Sequence, residues 1–421
     1  MMNKLFLTLL SSFLLCVLAA PPTPKTLVQV RDSRATLPFV TRFNASGSKI
    51  PEVDRARAAG LREHALGIKS DSSKSTHGKR QSSFTVTNQV VSYVASVGVG
   101  SPPSSFNLII DTGSSNTWVG ADKQFQSTQT TEPTLEPMAV EYGSGFFVGQ
   151  AFTDTVTLAP DLVITGQKIG VALLSEGFQG VDGILGVGPT DLTEGTLVTD
   201  PFGTIPTVTD NLFSQGTIEE EVLGVFFAPT TTEESANGEM TFGGIDDSKI
   251  TQDVQFFPIT ATSTASEFWG IDQSITYGTE GTTILSSTAG IVDTGTTLLL
   301  IATDAFDAYT AATGAALDST TGLLSISPEN YANLQSLFFH VGDSTFEFTK
   351  NAQTWPRALN AAIGGTSSDI LLVVGDIGTN SGQGLDFING FTFLERFYSV
   401  FDTTNKRVGL ATTAHTNDEV N

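Results

Sequence analysis

The sequence predicts an all-β chain made of two related halves, with few short helices. Three observations carry this. Short apolar runs rich in Val, Ile, Phe and Thr recur between Gly, Asp, Asn and Ser turns, as in 106–115 (FNLIIDTGSS), 371–378 (LLVVGDIG) and 397–411. Helical patterns are scarce. Residues 303–313 (TDAFDAYTAAT) are the best candidate, with Thr303 or Asp304 as N-cap; 207–216 is a shorter one, and 333–342 is ambiguous. The third observation is a weak internal repeat. Segments 108–119 (LIIDTGSSNTWV) and 290–301 (GIVDTGTTLLLI) both run from apolar residues into Asp-Thr-Gly and then hydroxyl residues, and 181–188 and 387–394 each set a Gly among apolar neighbours. The order is motif, Gly element, motif, Gly element, which a duplicated lobe leaves behind.

The 421 residues exceed one ordinary core. The expected organisation is a signal peptide over 1–20, a basic propeptide over 21–80, and lobes over 81–260 and 261–421. Residues 1–20 offer Lys4, an apolar run and the small pair Ala19/Ala20, the pattern of a secretory signal. That run is short for a membrane span, and the expectation is a secreted, extracellular protein with no membrane partner. Segment 21–80 carries twelve Lys and Arg against five Asp and Glu, whereas 81–421 carries eight against 39. A basic leader on an acidic body suggests a propeptide held over its partner by charge. It contains the one N-x-S/T sequon, at Asn44, and ends at Lys79-Arg80, a dibasic pair of the kind kexin-type processing proteases cut. The net charge of −23 argues against nucleic acid.

The only cysteine, Cys16, lies in the signal-like stretch. Thiol nucleophiles, thiolate metal sites and disulfides are therefore not expected in the mature chain. Only His340 and His415 follow residue 80, so neither a histidine metal site nor a Ser-His triad is expected, and the chemistry is expected to need neither metal nor cofactor.

Asp111 and Asp293 are the candidate catalytic pair. One Asp-Thr-Gly alone is a plain turn, but two copies 182 residues apart, each after an apolar strand, form a pattern. Two carboxylates brought together cannot both ionise easily, so they share a proton and titrate as a unit. One then acts as general base on a water between them while the other donates to a carbonyl, enough to hydrolyse a peptide bond without metal or thiol. Gly113 and Gly295 allow close backbone approach, and the hydroxyls of Ser114 and Thr296 can orient the carboxylates.

The two motifs resemble the active-site segments of pepsin-like aspartic proteases. Segments 141–145 (EYGSG), 181–189, 242–246, 268–278 and 397–411 are similar to further family segments in the same order. The lack of disulfides and Ile388-Asn389-Gly390 are similar to secreted fungal polyporopepsin-type enzymes. The resemblance implies a bilobal fold with a deep cleft, and a monomeric acid endopeptidase made as a zymogen. Its substrates would be proteins and peptides cut between bulky apolar residues. It implies a flap with Tyr142, Gly143 and Ser144, and contacts to substrate from Gly113, Gly295 and Thr296. Ile109, Tyr142, Val181 and Ile184 would line the pocket before the scissile bond; core packing is the competing reading for Ile109, Val181 and Ile184. Trp118 would hydrogen-bond and buttress Tyr142. Many fungal relatives have an acid where this chain has Ser144, so weak cleavage after Lys is expected. The alternative is a pepsin-fold binding protein without catalysis; such proteins typically lose an aspartate or the flap tyrosine, and this chain keeps both aspartates and Tyr142.

Overall fold

Alternating burial sets the strands: along Phe146–Ala159 side chains switch between buried and partly exposed almost residue by residue. The computed structural model describes residues 34–43, 49–67 and 91–420. The signal-like stretch, the sequon at Asn44 and the Lys79-Arg80 pair lie outside the described residues. Among the described residues, thirteen strands form one sheet, seven a second and three a third. The large sheet joins distant parts of the chain, since Phe397–Asp402 pairs with Val222–Phe227.

The repeat in the sequence is a repeat in the structure. Strand Ser104–Asp111 delivers Asp111 and lies parallel to Gly183–Gly186, with Asp111 opposite Gly186. Strand Thr282–Val292 ends just before Asp293 and lies parallel to Phe387–Asn389, with Val292 opposite Asn389. Both inner elements are wholly buried, which explains why they read as unbroken apolar runs rather than alternating ones.

The helix expected at 303–313 forms over Thr303–Thr313 and ends at Gly314 in the left-handed region, φ 66°. Its N-cap is Ala302, not Thr303 or Asp304. Those side chains serve elsewhere: Thr303 Oγ1 donates to Asp376 at 2.6 Å, and Asp304 accepts from the Ser381 amide at 2.9 Å. Helix Val208–Ser214 begins at a capping box between Thr207 and Asp210. The ambiguous stretch resolves as the end of helix Pro328–Asn333 followed by strand Leu337–Val341.

Two stretches of the basic N-terminal segment, 34–43 and 49–67, are described, and both are structured. Strand Ala35–Phe43 inserts antiparallel between Glu234–Phe242 and Val91–Val99. Leu37, Phe39 and Thr41 point inward, and the Phe39 ring lies 5.4 Å from Tyr93 and 5.1 Å from Phe227. Gly238 makes the space, because a Cβ there would overlap the Phe39 ring. Burying that ring contributes about 1.5–3 kcal/mol. Helix Ile50–Ala65 follows, with Pro51 and Glu52 in its first turn and Arg62 in its last. Its buried stripe is Ile50, Val53, Asp54, Arg57, Ala58 and Leu61, a helical spacing that includes two charges.

Candidate active site

The two Asp-Thr-Gly loops meet and lock through their threonines. The Thr112 amide donates to Thr294 Oγ1 and the Thr294 amide to Thr112 Oγ1, both at 3.0 Å. Thr294 Oγ1 also donates to the Ile110 carbonyl at 3.0 Å. These buried, reciprocal bonds fix one loop against the other.

The carboxylates that result carry matching donors. Asp111 accepts from the Gly113 amide at 2.9 Å and from Ser114 Oγ at 2.6 Å. Asp293 accepts from the Gly295 amide at 3.0 Å and from Thr296 Oγ1 at 2.6 Å. Each glycine faces the opposite carboxylate: a Cβ on Gly113 would lie 2.7 Å from Asp293 Oδ1, and one on Gly295 would lie 2.5 Å from Asp111 Oδ1. Any side chain at either position would therefore push the pair apart.

Between the carboxylates lies Arg57 of the N-terminal helix, a residue that sequence reasoning counted only as charge. Its Nη2 donates to Asp111 Oδ1 at 2.5 Å and to Asp293 Oδ1 at 3.1 Å, and its Nε donates to Asp293 Oδ2 at 2.8 Å. The side chains of all three residues are at most 2% exposed. Burial works against the guanidinium's charge, but the two carboxylates outweigh it and hold the arginine firmly protonated. One helical turn earlier, Asp54 accepts from the Leu298 amide at 2.8 Å and the Thr297 amide at 3.2 Å. Burial pushes the Asp54 carboxyl up to about 7, against those two bonds and the nearby Arg57.

The pair titrates unevenly. Burial raises the Asp111 carboxyl, with the Asp293 charge adding to the effect and Arg57 opposing it. Burial also presses on Asp293, but Arg57, Thr296 and the Gly295 amide together bring it below the usual aspartate range. Arg57 makes two bonds to Asp293 and one to Asp111, which accounts for the direction of the split.

The remaining expected residues gather on one side. Ile109, Trp118, Tyr142, Val181 and Ile184 belong to one buried apolar cluster with Met138, Phe147 and Phe178. Ile109 and Ile184 are direct neighbours on parallel strands. The hairpin tip closes through the Tyr142 amide to the Gly145 carbonyl at 2.8 Å, with Gly143 at φ 71° and Ser144 buried. Trp118 and Ser114 both act on the Tyr142 hydroxyl, but the expected Trp118–Tyr142 contact falls short of full hydrogen-bond geometry. The two rings lie 6.4 Å apart at 27°. The N-terminal helix fixes the tip in this state. A Cβ on its Gly60 would lie 2.7 Å from Gly143 Cα, and one on Gly143 would lie 2.3 Å from the Ala56 carbonyl oxygen. Two glycines thus let helix and hairpin touch backbone to backbone.

Comparison with known proteins agrees with this geometry. The family model for eukaryotic aspartyl protease matches residues 92–413. The chain is 62% identical over 334 residues to polyporopepsin from Irpex lacteus, covering 79% of this chain and 98% of that one. It is 28% identical over 340 residues to gastricsin from Cavia porcellus, covering 76% of this chain and 80% of that one. Among solved structures, the crystal structure of the aspartic proteinase from Irpex lacteus superposes with a TM-score of 0.79 at 53% identity, covering 92% of this chain and all of that one.

Proposed function

Because the chain belongs to the eukaryotic aspartyl protease family, we propose that it is a secreted acid endopeptidase, made as an inactive precursor, in which Asp111 and Asp293 activate a water between them. The fold is the bilobal, mostly β one of the pepsin-like aspartic proteinases, and the chain is an aspartic-type endopeptidase. The single observation that carries the finer reading is the paired carboxylate site with a guanidinium across both members.

Without Arg57, two buried carboxylates with mirrored donors share one proton. The ionised member takes a proton from a water held between them as that water attacks the peptide carbonyl; the protonated member donates to the carbonyl oxygen. Ser114, Thr296 and the two glycine amides keep the carboxylates oriented without reorganisation. Tyr142, Gly143 and Ser144 close over an extended substrate, whose backbone adds to the cleft as a strand does. The apolar cluster of Ile109, Val181 and Ile184 favours a bulky apolar residue before the cut.

With Arg57 in place, the proton-sharing pair becomes an ion-paired triad and the position of the attacking water is filled. That supports the precursor reading, in which activity follows loss of the segment through Lys79-Arg80 cleavage or acid. The signal-like N-terminus supports secretion, and among the described residues no helix is long and apolar enough to cross a membrane. A monomer working on protein and peptide substrates without a cofactor accords with a cleft complete within one chain.

The test is hydrolysis of denatured protein from pH 2 to 8 by the matured enzyme, with and without pepstatin. Activity confined to acid and abolished by pepstatin is expected. An inactive, folded, matured protein would instead favour the non-catalytic binding reading.

A further inference from the structure

We propose, resting on the endopeptidase reading above, that Asp376 is a specificity-determining residue that selects a cationic substrate side chain, arginine above lysine, on the cleft wall. Asp376 ends strand Val374–Asp376, the outermost strand of the seven-stranded sheet. It lies beside Leu299–Ile301, the strand that follows the Asp293 loop, with Ile301 opposite Asp376.

Its two oxygens are used differently. Oδ1 is held by the body of the protein, accepting from Thr303 Oγ1 at 2.6 Å and the Gly378 amide at 2.8 Å. Oδ2 is met by Arg55 of the N-terminal helix, whose Nη2 donates at 3.0 Å. Arg55 Nε donates to the Asp376 main-chain oxygen at 3.3 Å, a carbonyl on an open sheet edge. The arginine stem runs over Gly378, whose missing side chain leaves a trough; a Cβ there would lie 3.1 Å from Arg55 Cδ. The same helix sets Asp54 against the Thr297 and Leu298 amides that follow the Asp293 loop and Arg62 against Thr379 Oγ1, so the trough lies on the wall the helix covers beside that loop.

When the segment leaves, the carboxylate stays clamped through Oδ1, while Oδ2, the adjacent carbonyl and the trough all lose their occupant. The vacated site has an acceptor pair that matches the Nε–Nη fork of a guanidinium, and a channel for its stem. A lysine can satisfy the charge, but its single ammonium lacks the planar two-nitrogen fork that meets both acceptors in parallel. A residue that served only to dock the segment would give the matured enzyme no such preference.

The test uses enzyme matured from the full chain and peptides with one pepstatin-sensitive cleavage site. Arginine is placed in turn at each of several positions either side of that site and compared with citrulline, its neutral isostere, at about pH 5. At one position arginine is expected to exceed citrulline in kcat/KM by about fivefold, with lysine between them. Asp376→Asn is expected to bring that ratio close to one; being a ratio within one enzyme, it is insensitive to loss of total activity. Equal rates for arginine and citrulline at every position overturn the role of Asp376 alone, as does an unchanged ratio in Asp376→Asn. Should the variant not fold, the wild-type ratio still decides. Failure to cut any peptide overturns the endopeptidase reading as well.

Discussion

The two Asp-Thr-Gly loops have the same local chemistry, yet their carboxyls move in opposite directions. Each aspartate accepts one glycine amide and one hydroxyl three residues on. Each loop gives its threonine to the other. Asp111 is nevertheless raised and Asp293 lowered. The difference comes from outside the repeat, from one arginine that grips Asp293 twice and Asp111 once. A duplicated motif makes the site symmetric, and a non-duplicated helix breaks that symmetry.

The largest test of the comparison replaces each carboxylate in turn. In the matured enzyme Asp111→Asn and Asp293→Asn should each lower kcat by about a thousandfold or more, because a shared-proton pair fails as a unit. If either variant kept a tenth of wild-type activity, the two loops would not be equivalent partners. Next in size is Arg57→Gln in the uncleaved chain. Losing a buried ion-pair partner weakens the segment's hold by about 2 kcal/mol or more, roughly thirtyfold. The uncleaved variant should hydrolyse peptide where the wild-type precursor is silent.

A pH test follows from Asp54. Its carboxyl is raised to about 7 when docked, from an ordinary 3.8. A raised acid favours the docked state when protonated. Its penalty is full above pH 7, shrinks as pH falls towards 3.8, and is gone below that. Asp111 does not act in that direction, because its rise comes from burial and the Asp293 charge while the docked Arg57 lowers it. Acid release therefore rests on groups such as Asp293, whose lowered carboxyl strengthens docking above the ordinary range and stops doing so as pH falls through its docked value. Asp54→Asn should hold the segment about tenfold more tightly than wild type near pH 8 and lose that advantage towards pH 4. Protection of the uncleaved site from pepstatin, as a ratio of variant to wild type, reads this; a ratio that does not change with pH would contradict it.

The smallest effect concerns the threonine lock. Thr112→Val and Thr294→Val each leave a buried amide unpaired and should each cost about 1–3 kcal/mol of stability, seen as a lower Tm in the matured enzyme. Near-equal costs sharpen the symmetry; a cost under about 0.5 kcal/mol on one side only would break it.

The repeat made the central site legible in the sequence. Apolar strand, Asp-Thr-Gly and parallel Gly element recur in chain order, and each Gly element sits beside its strand. Helix Thr303–Thr313 was equally clear, but its cap was not, because Thr303 and Asp304 are drawn into long-range bonds that local spacing does not reveal. The Trp118–Tyr142 bond, expected from resemblance, falls short of full hydrogen-bond geometry where Gly60 meets the hairpin tip. Arg57 was missed for a different reason. Summing charge over 21–80 treats all twelve cations alike, whereas Ile50, Val53, Ala58 and Leu61 behind Pro51 spell an amphipathic helix whose buried stripe includes Asp54 and Arg57. A charge on the apolar face of a helix needs a partner of opposite sign, and that was the available signal.

The most direct test of the central claim, that Asp111 and Asp293 form one site occupied by Arg57, is calorimetric titration of pepstatin into the uncleaved and the matured chain under the same mildly acidic conditions. The account expects one inhibitor bound per matured chain, almost none per uncleaved wild-type chain, and binding restored in uncleaved Arg57→Gln. Equal binding by uncleaved and matured wild-type protein would contradict it.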